Sequence, residues 1–209
     1  MTTDSKASIA QQLKTPRAYK RSPALTNLLM GHIAGMADNS GAFDLTIAKM
    51  RLGTEPPPHV HSREDEFFYI LSGEIRFYVD GEVFTVTTGE CMFLPRRRPH
   101  AFLMTSEEIH IIALITPDGF NEALNKMNAP TGRMEGPTEV DAETYCEHRS
   151  HRRIKVFEQY KVRLLTADET CTEMPQYPIY AHLGCRVPER LGAYLRSRPR
   201  YDPSGSAIR

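Results

Sequence analysis

The chemistry in this chain concentrates in His59-Val60-His61, the carboxylate of Glu66 and a later imidazole, His100. Imidazole nitrogens and a carboxylate are good ligands for first-row divalent metals. On an extended backbone alternate side chains share a face, so His59 and His61 point the same way and can grip one ion. With Glu66 and His100 the set offers three nitrogens and one oxygen. The cofactor this implies is one divalent transition metal ion: Fe, Mn, Ni, Cu, Co or Zn. Glu64 and Asp65 compete with Glu66 for the carboxylate role. Alternation puts Glu66 on one face with Phe68 and Ile70, whereas Glu64 has that parity but falls in the turn before the strand.

These residues must be positioned by short elements. From about Leu25 to Thr116 the chain runs in short apolar or alternating stretches broken by Gly, Pro and Asp, the pattern of an antiparallel sandwich or barrel. Strands are predicted near Asn27–His32, Phe43–Arg51, His59–His61, Glu66–Ser72, Glu74–Val79, Glu82–Thr87, Cys91–Leu94, His100–Met104 and Glu108–Ile115. Asp80-Gly81 marks a hairpin, because both residues tolerate positive φ. After Pro117 the pattern turns helical. Asp118 is placed to cap a helix through Met127 that carries Phe120, Ala123, Leu124 and Met127 on one side. Asn128 to Pro137 reads as a loop, Asp141 begins a second candidate helix, and Arg153–Tyr160 forms a third. The resulting division is an arm over residues 1–24, a barrel over 25–116, a helical appendage over 117–170 and a Pro-containing extension over 171–209.

Composition narrows the partners. Among 209 residues, 26 Lys and Arg balance 26 Asp and Glu. That neutrality argues against a broad surface for nucleic acid or anionic lipid. No stretch approaches the roughly 20 apolar residues of a membrane span. The polar N-terminus lacks the apolar core of a secretory signal. Four widely spaced cysteines, Cys91, Cys146, Cys171 and Cys185, read as reduced thiols in a cytoplasmic protein. Cys91 is expected as a small apolar residue in the wall near the site.

Two motifs resemble those of the cupin family. The first is glycine, five residues, His-x-His, three or four residues, Glu, six residues, glycine, and Gly53, His59, His61, Glu66 and Gly73 occupy its fixed positions. The second is matched by Gly89, Pro95 and His100, but Arg97 stands at its inner glycine and Met104 at its Asn. Fifteen residues separate Gly73 from Gly89, the short spacing of compact bacterial cupins. Phe67 to Glu74 and Ile115 to Phe120 look more particularly like single-domain cupins similar to quercetin dioxygenase. The resemblance covers about residues 43–116.

It implies a mainly β protein: a cupin-type jelly-roll barrel, or double-stranded β-helix, with a short helical C-terminal appendage and the metal inside. Four protein ligands would leave positions for water, dioxygen or a chelating small-molecule substrate. In related dioxygenases the glutamate also takes a proton from a substrate hydroxyl, a role implied here for Glu66. The implied function is a metal-dependent dioxygenase-type oxidoreductase acting on an aromatic or enolisable substrate. Non-redox cupin chemistry (isomerase, cyclase or decarboxylase) and non-catalytic ligand binding stand as alternatives. The family's habit of pairing also implies a homodimer.

Phe68, Ile70, Phe102 and Met104 share parity with the ligands; they line a substrate cavity or simply fill the barrel. Arg96, Arg97 and Arg98 precede His100, and Arg97 is a candidate carboxylate clamp, or part of a solvated loop. An arginine at the inner glycine position suggests that no left-handed backbone is needed there. The remaining histidines lack partners at ligand spacing.

Overall fold

Period-two burial dominates the chain. Asp44, Thr46, Ala48 and Met50 point inward while their neighbours stay half-exposed, and Ile109, Ile111, Ala113 and Ile115 do the same. Such alternation is stable only as a strand with one face on a core. A computed structural model describes residues 24–25, 29–34, 41–127, 130–131 and 151–178. Its strands are β1 (Ala24–Leu25), β2 (Leu29–Ala34), β3 (Asp44–Arg51), β4 (His59–His61), β5 (Asp65–Ser72), β6 (Glu74–Val79), β7 (Glu82–Thr87), β8 (Cys91–Leu94), β9 (His100–Met104) and β10 (Glu108–Thr116). After these come helix α1 (Phe120–Met127), β11 (Pro130–Thr131), α2 (His151–Gln159), β12 (Val162–Leu164) and α3 (Ala167–Glu173).

Two five-stranded antiparallel sheets make a jelly roll. One runs β2-β3-β10-β5-β8 and the other β12-β4-β9-β6-β7. Between them lies one core that includes Phe68, Ile70, Ile75, Phe77, Leu94, Phe102, Met104, Ile109 and Ile111. The rings of Phe68, Phe77 and Phe102 stand 5.5 to 5.8 Å apart in tilted pairs, a favourable spacing for aromatic packing. The β6–β7 hairpin turns through Asp80 (φ 52) and Gly81 (φ 75), with Val79 opposite Glu82. Two successive left-handed residues define the type I′ turn that Asp-Gly favours. Gly73 carries the chain from one sheet to the other at φ 92, and a Cβ there would lie 2.9 Å from the Glu108 carbonyl oxygen. Only glycine fits that approach.

The barrel strands begin and end within two residues of the expected positions. The appendage differs more. Among the described residues after Pro117 the helices are joined by a strand: β12 joins the second sheet by pairing with β4, Val162 opposite His61 and Leu164 opposite His59. A segment of three residues carries too weak a period to be told from loop in sequence. Pro130 and Thr131, expected within a loop, pair with β1. The cap of α1 is also different, since Asp44 Oδ2 accepts the Gly119 and Asn121 N–H groups at 2.9 Å each. Asp118 lies just before α1 with its carboxylate buried, so a residue brought by β3 displaced the local candidate. Helix α3 begins with a capping box, Thr166 and Glu169 each accepting the other's backbone N–H, a signature overlooked in the sequence. The helix expected from Asp141 and most of the N-terminal arm and C-terminal extension lie outside the described residues.

Candidate metal centre

The two sheets supply different ligand types. His59 and His61 come from β4 and His100 from β9, with His59 and His100 directly opposite one another across the ladder. Glu66 comes from β5 in the facing sheet, with its side chain inward as alternation requires. One ligand atom from each of His59, His61, Glu66 and His100 lies within 4.8 Å of all the others, and all four residues are buried. His100 Nε2 is 3.2 Å from His59 Nε2 and 3.0 Å from Glu66 Oε2, and His61 Nε2 is 3.7 Å from Glu66 Oε1.

The outer nitrogens fix the tautomers. His59 Nδ1 donates to the Pro57 carbonyl at 2.7 Å and His100 Nδ1 to the Arg98 carbonyl at 3.0 Å. A carbonyl only accepts, so both Nδ1 atoms carry the proton, and in the neutral rings both Nε2 atoms present lone pairs inward. His61 Nδ1 bonds Glu64 Oε2 at 3.2 Å, which leaves its Nε2 buried with no hydrogen-bond partner. Lone pairs 3.2 Å apart repel, and an orphaned buried nitrogen costs about 1–3 kcal/mol. A cation among the three Nε2 atoms and Glu66 removes both penalties, so the residues present fit a divalent transition metal.

Charge is distributed unevenly over the four. Burial, then His100 and His61, hold His59 well below the ordinary imidazole pKa, which keeps it a neutral donor. Burial pulls His61 down as well, but Glu66 and Glu64 outweigh it and the net shift is upward. Burial opposes the charge on Glu66, yet His61, His100 and His59 prevail and lower its pKa to about 2. Glu66 is therefore an anion at neutral pH.

The other expected residues fall in two places. Phe68, Ile70, Phe102 and Met104 are buried in the barrel core with Phe77, where they pack on one another. Arg97 is exposed on the turn before His100. Its φ is 65, so the turn does need left-handed backbone. The reason is its N–H, which donates to the His61 carbonyl at 2.6 Å and holds the turn against β4. Arg96 pairs with Asp65 at 2.5 Å and Arg98 with Asp80 at 3.4 Å. Cys91 is exposed rather than in the inner wall, because it pairs with the outward Tyr69.

Three features of the site were not read from the sequence. Phe120 of α1 meets the His61 ring edge-on at 4.8 Å, and Phe157 of α2 stacks on His59 at 6.5 Å. The appendage thus walls the histidine end of the barrel through a cluster containing Ile115, Phe120, Val156, Phe157 and Val162. Glu55, 6% exposed, accepts the Gly53 N–H at 2.7 Å and the Met104 N–H at 3.0 Å, tying the loop before β4 to β9. Glu64, weighed as a ligand, instead stands behind His61.

A small antiparallel barrel with three inward imidazoles and one carboxylate defines the class. Residues 46–116 match the family model described as the cupin domain, so this stretch of the chain is similar to cupin domains. Over 98 residues it is 22% identical to quercetin 2,3-dioxygenase of Bacillus subtilis (strain 168), covering 47% of this chain and 29% of that protein. Over 64 residues it is 31% identical to an uncharacterised protein of Aquifex aeolicus (strain VF5), covering 31% and 53%. The chain thus spans between about a third and a half of the length of these curated relatives. Among solved structures, KdgF from Halomonas sp. aligns with TM-score 0.44 at 17% identity, over 52% of this chain and 99% of that one. An RmlC-like cupin from Shewanella frigidimarina aligns with TM-score 0.41 at 19% identity, over 50% and 88%. No helix among the described residues is long and apolar enough to cross a membrane.

Proposed function

We propose that this chain is a metal-dependent cupin enzyme of the dioxygenase type, an oxidoreductase acting on a small aromatic or enolisable substrate. The observation that carries the reading is the convergence of three Nε2 atoms on one ionised carboxylate inside the barrel. His59, His61, His100 and Glu66 would hold one divalent transition metal ion. Such an ion supplies, when bound, polarisation of a substrate oxygen and electron transfer with dioxygen. Glu66 is the anion of the site and the group that receives the hydroxyl proton of an enol or phenol. Phe120 and Phe157 keep water from the histidines and present apolar surface to a ring. The stretch shared with the Bacillus subtilis quercetin 2,3-dioxygenase supports the same chemistry. Exposed free thiols at Cys91 and Cys171 support a reducing, cytoplasmic setting. A homodimer belongs to the same proposal and is checked by sedimentation velocity.

The test is dioxygen uptake by protein loaded separately with Fe, Mn, Ni, Cu or Co, against a flavonol, a diketone and a catechol. Uptake that needs both substrate and metal is the expected result. Absence of uptake across the whole panel refutes the dioxygenase reading, and turnover of any of these substrates under strict anaerobiosis replaces it with Lewis-acid chemistry.

A further inference from the structure

The three imidazoles are not equivalent on their outer sides. His59 and His100 donate through Nδ1 to neutral backbone carbonyls, those of Pro57 and Arg98, at 2.7 and 3.0 Å. His61 alone meets a carboxylate, Glu64 Oε2 at 3.2 Å. Glu64 is 2% exposed and His61 fully buried. Carboxylates are rarely buried to that degree unless paired. The other oxygen of Glu64 lies 3.8 Å from Arg63 Nη1, a long contact to a half-exposed guanidinium. His61 is thus its close partner. Glu64 sits in the short connection between β4 and β5, which carry His61 and Glu66 respectively.

We propose that Glu64 is a positioning residue of the metal centre, an anionic acceptor that locks His61 as the Nδ1–H tautomer and strengthens its Nε2 as a donor. The inference rests on the reading that the four ligands hold a metal, and is independent of substrate and of dioxygen. An anion behind an imidazole polarises the ring more than a carbonyl does, because the Nδ1–H bond is charge-assisted. The ring nitrogen facing the ion becomes more basic, and outer partners of this kind typically carry 10- to 100-fold in metal affinity. His61 is then the most strongly bound imidazole of the three, and a carbonyl-like neutral acceptor in place of Glu64 erases the difference.

The experiment compares wild type, Glu64→Gln and Glu64→Ala as metal-free proteins. Zinc and cobalt affinities are measured by chelator competition, and cobalt spectra are recorded on the loaded forms. Glutamine keeps a hydrogen-bond acceptor and the shape but not the charge. It is expected to weaken affinity about 10- to 100-fold and shift the cobalt bands, while the melting temperature of the metal-free form holds or rises. Alanine, which loses the acceptor as well, is expected to be weaker still. Glutamine affinity within twofold of wild type with an unchanged spectrum overturns the proposal and leaves the metal reading intact. Wild type that binds neither ion overturns both. If the variants fail to fold, nitrogen-edited proton spectra of zinc-loaded wild type decide: the Nδ1 proton of His61 is expected furthest downfield, and equal positions for all three histidines refute the role.

Discussion

Replacing Glu66 by glutamine perturbs the charge of the centre with little change of shape, and its effect can be worked from the surroundings. The folded chain holds the Glu66 pKa at about 2 against an ordinary 4.5. That gap corresponds to about 3 kcal/mol favouring the anion over the neutral acid. Its physical source is chiefly His61, with His100 next, which outweigh the burial that alone would push the value up. The folded value lies below the unfolded one, so on acidification the unfolded chain takes the proton first. The stabilisation is therefore lost as pH falls from about 4.5 to about 2, and the share owed to His61, whose own pKa Glu66 raises, also fades as pH climbs through that raised value. Glutamine mimics the protonated acid. Metal-free Glu66→Gln should be less stable than wild type by about 3 kcal/mol at neutral pH, roughly 6–12 °C in Tm for a chain of this size. The two stability curves should converge near pH 2. Asp65, Glu122 and Glu169 also have lowered pKa values, but they are common to both proteins and cancel in the difference. Urea unfolding in the presence of a chelator, stepped from neutral pH to about 2.5, reads the curves without adding salt. A separation that stays constant across that range, or no separation at neutral pH, refutes this account of the centre.

Two glycines with nearly equal φ allow strain and steric contact to be separated. Gly73 and Gly89 have φ of 92 and 89, but an added Cβ meets Glu108 and Ile109 at 2.9 Å in the first and nothing within 4 Å in the second. Gly89→Ala should cost about 1 kcal/mol and Gly73→Ala about 2–4 kcal/mol, and equal losses in chemical unfolding would contradict the contact. Arg97→Gly should stabilise by about 1 kcal/mol, since Arg97 adopts φ 65 while exposed; a loss of stability, or a changed zinc affinity, would place its side chain in a role the exposed turn does not give it. Phe157→Leu trims the ring stacked on His59, so stopped-flow zinc uptake should quicken several-fold, and an unchanged rate would show that α2 does not limit access.

Much of the barrel and the ligand set was legible because each depended on local regularities. Eleven inward-facing strand residues alternate with exposed or half-exposed neighbours in β3, β5 and β10, and burial of one sheet face imposes that period on any sequence. Asp80-Gly81 announced its hairpin because few residue pairs accept two positive φ values. The spacing of His59, His61 and Glu66 reads as a site because strand geometry turns spacing into direction. The misreadings share a different cause. An arginine at position 97 argues locally against a left-handed turn, yet one hydrogen bond to the distant His61 carbonyl holds it there. Asp118 had the local chemistry of a cap, and Asp44 took the position from another strand. Proximity in sequence places Cys91 in the wall, and strand pairing turns it out.

Sequence by itself determined a jelly-roll barrel with three imidazoles and a carboxylate at ligand spacing, since period, turn chemistry and motif are properties of short segments. Only the tertiary structure decided which Nδ1 atoms face carbonyls and which faces Glu64, and that Phe120 and Phe157 wall the centre. It also placed β12 beside β4. The contacts of Phe120, Phe157 and β12 join residues separated by tens of positions, whereas the Nδ1 bonds span only two or three residues. The energies of both kinds arise only when folding has brought the partners out of water.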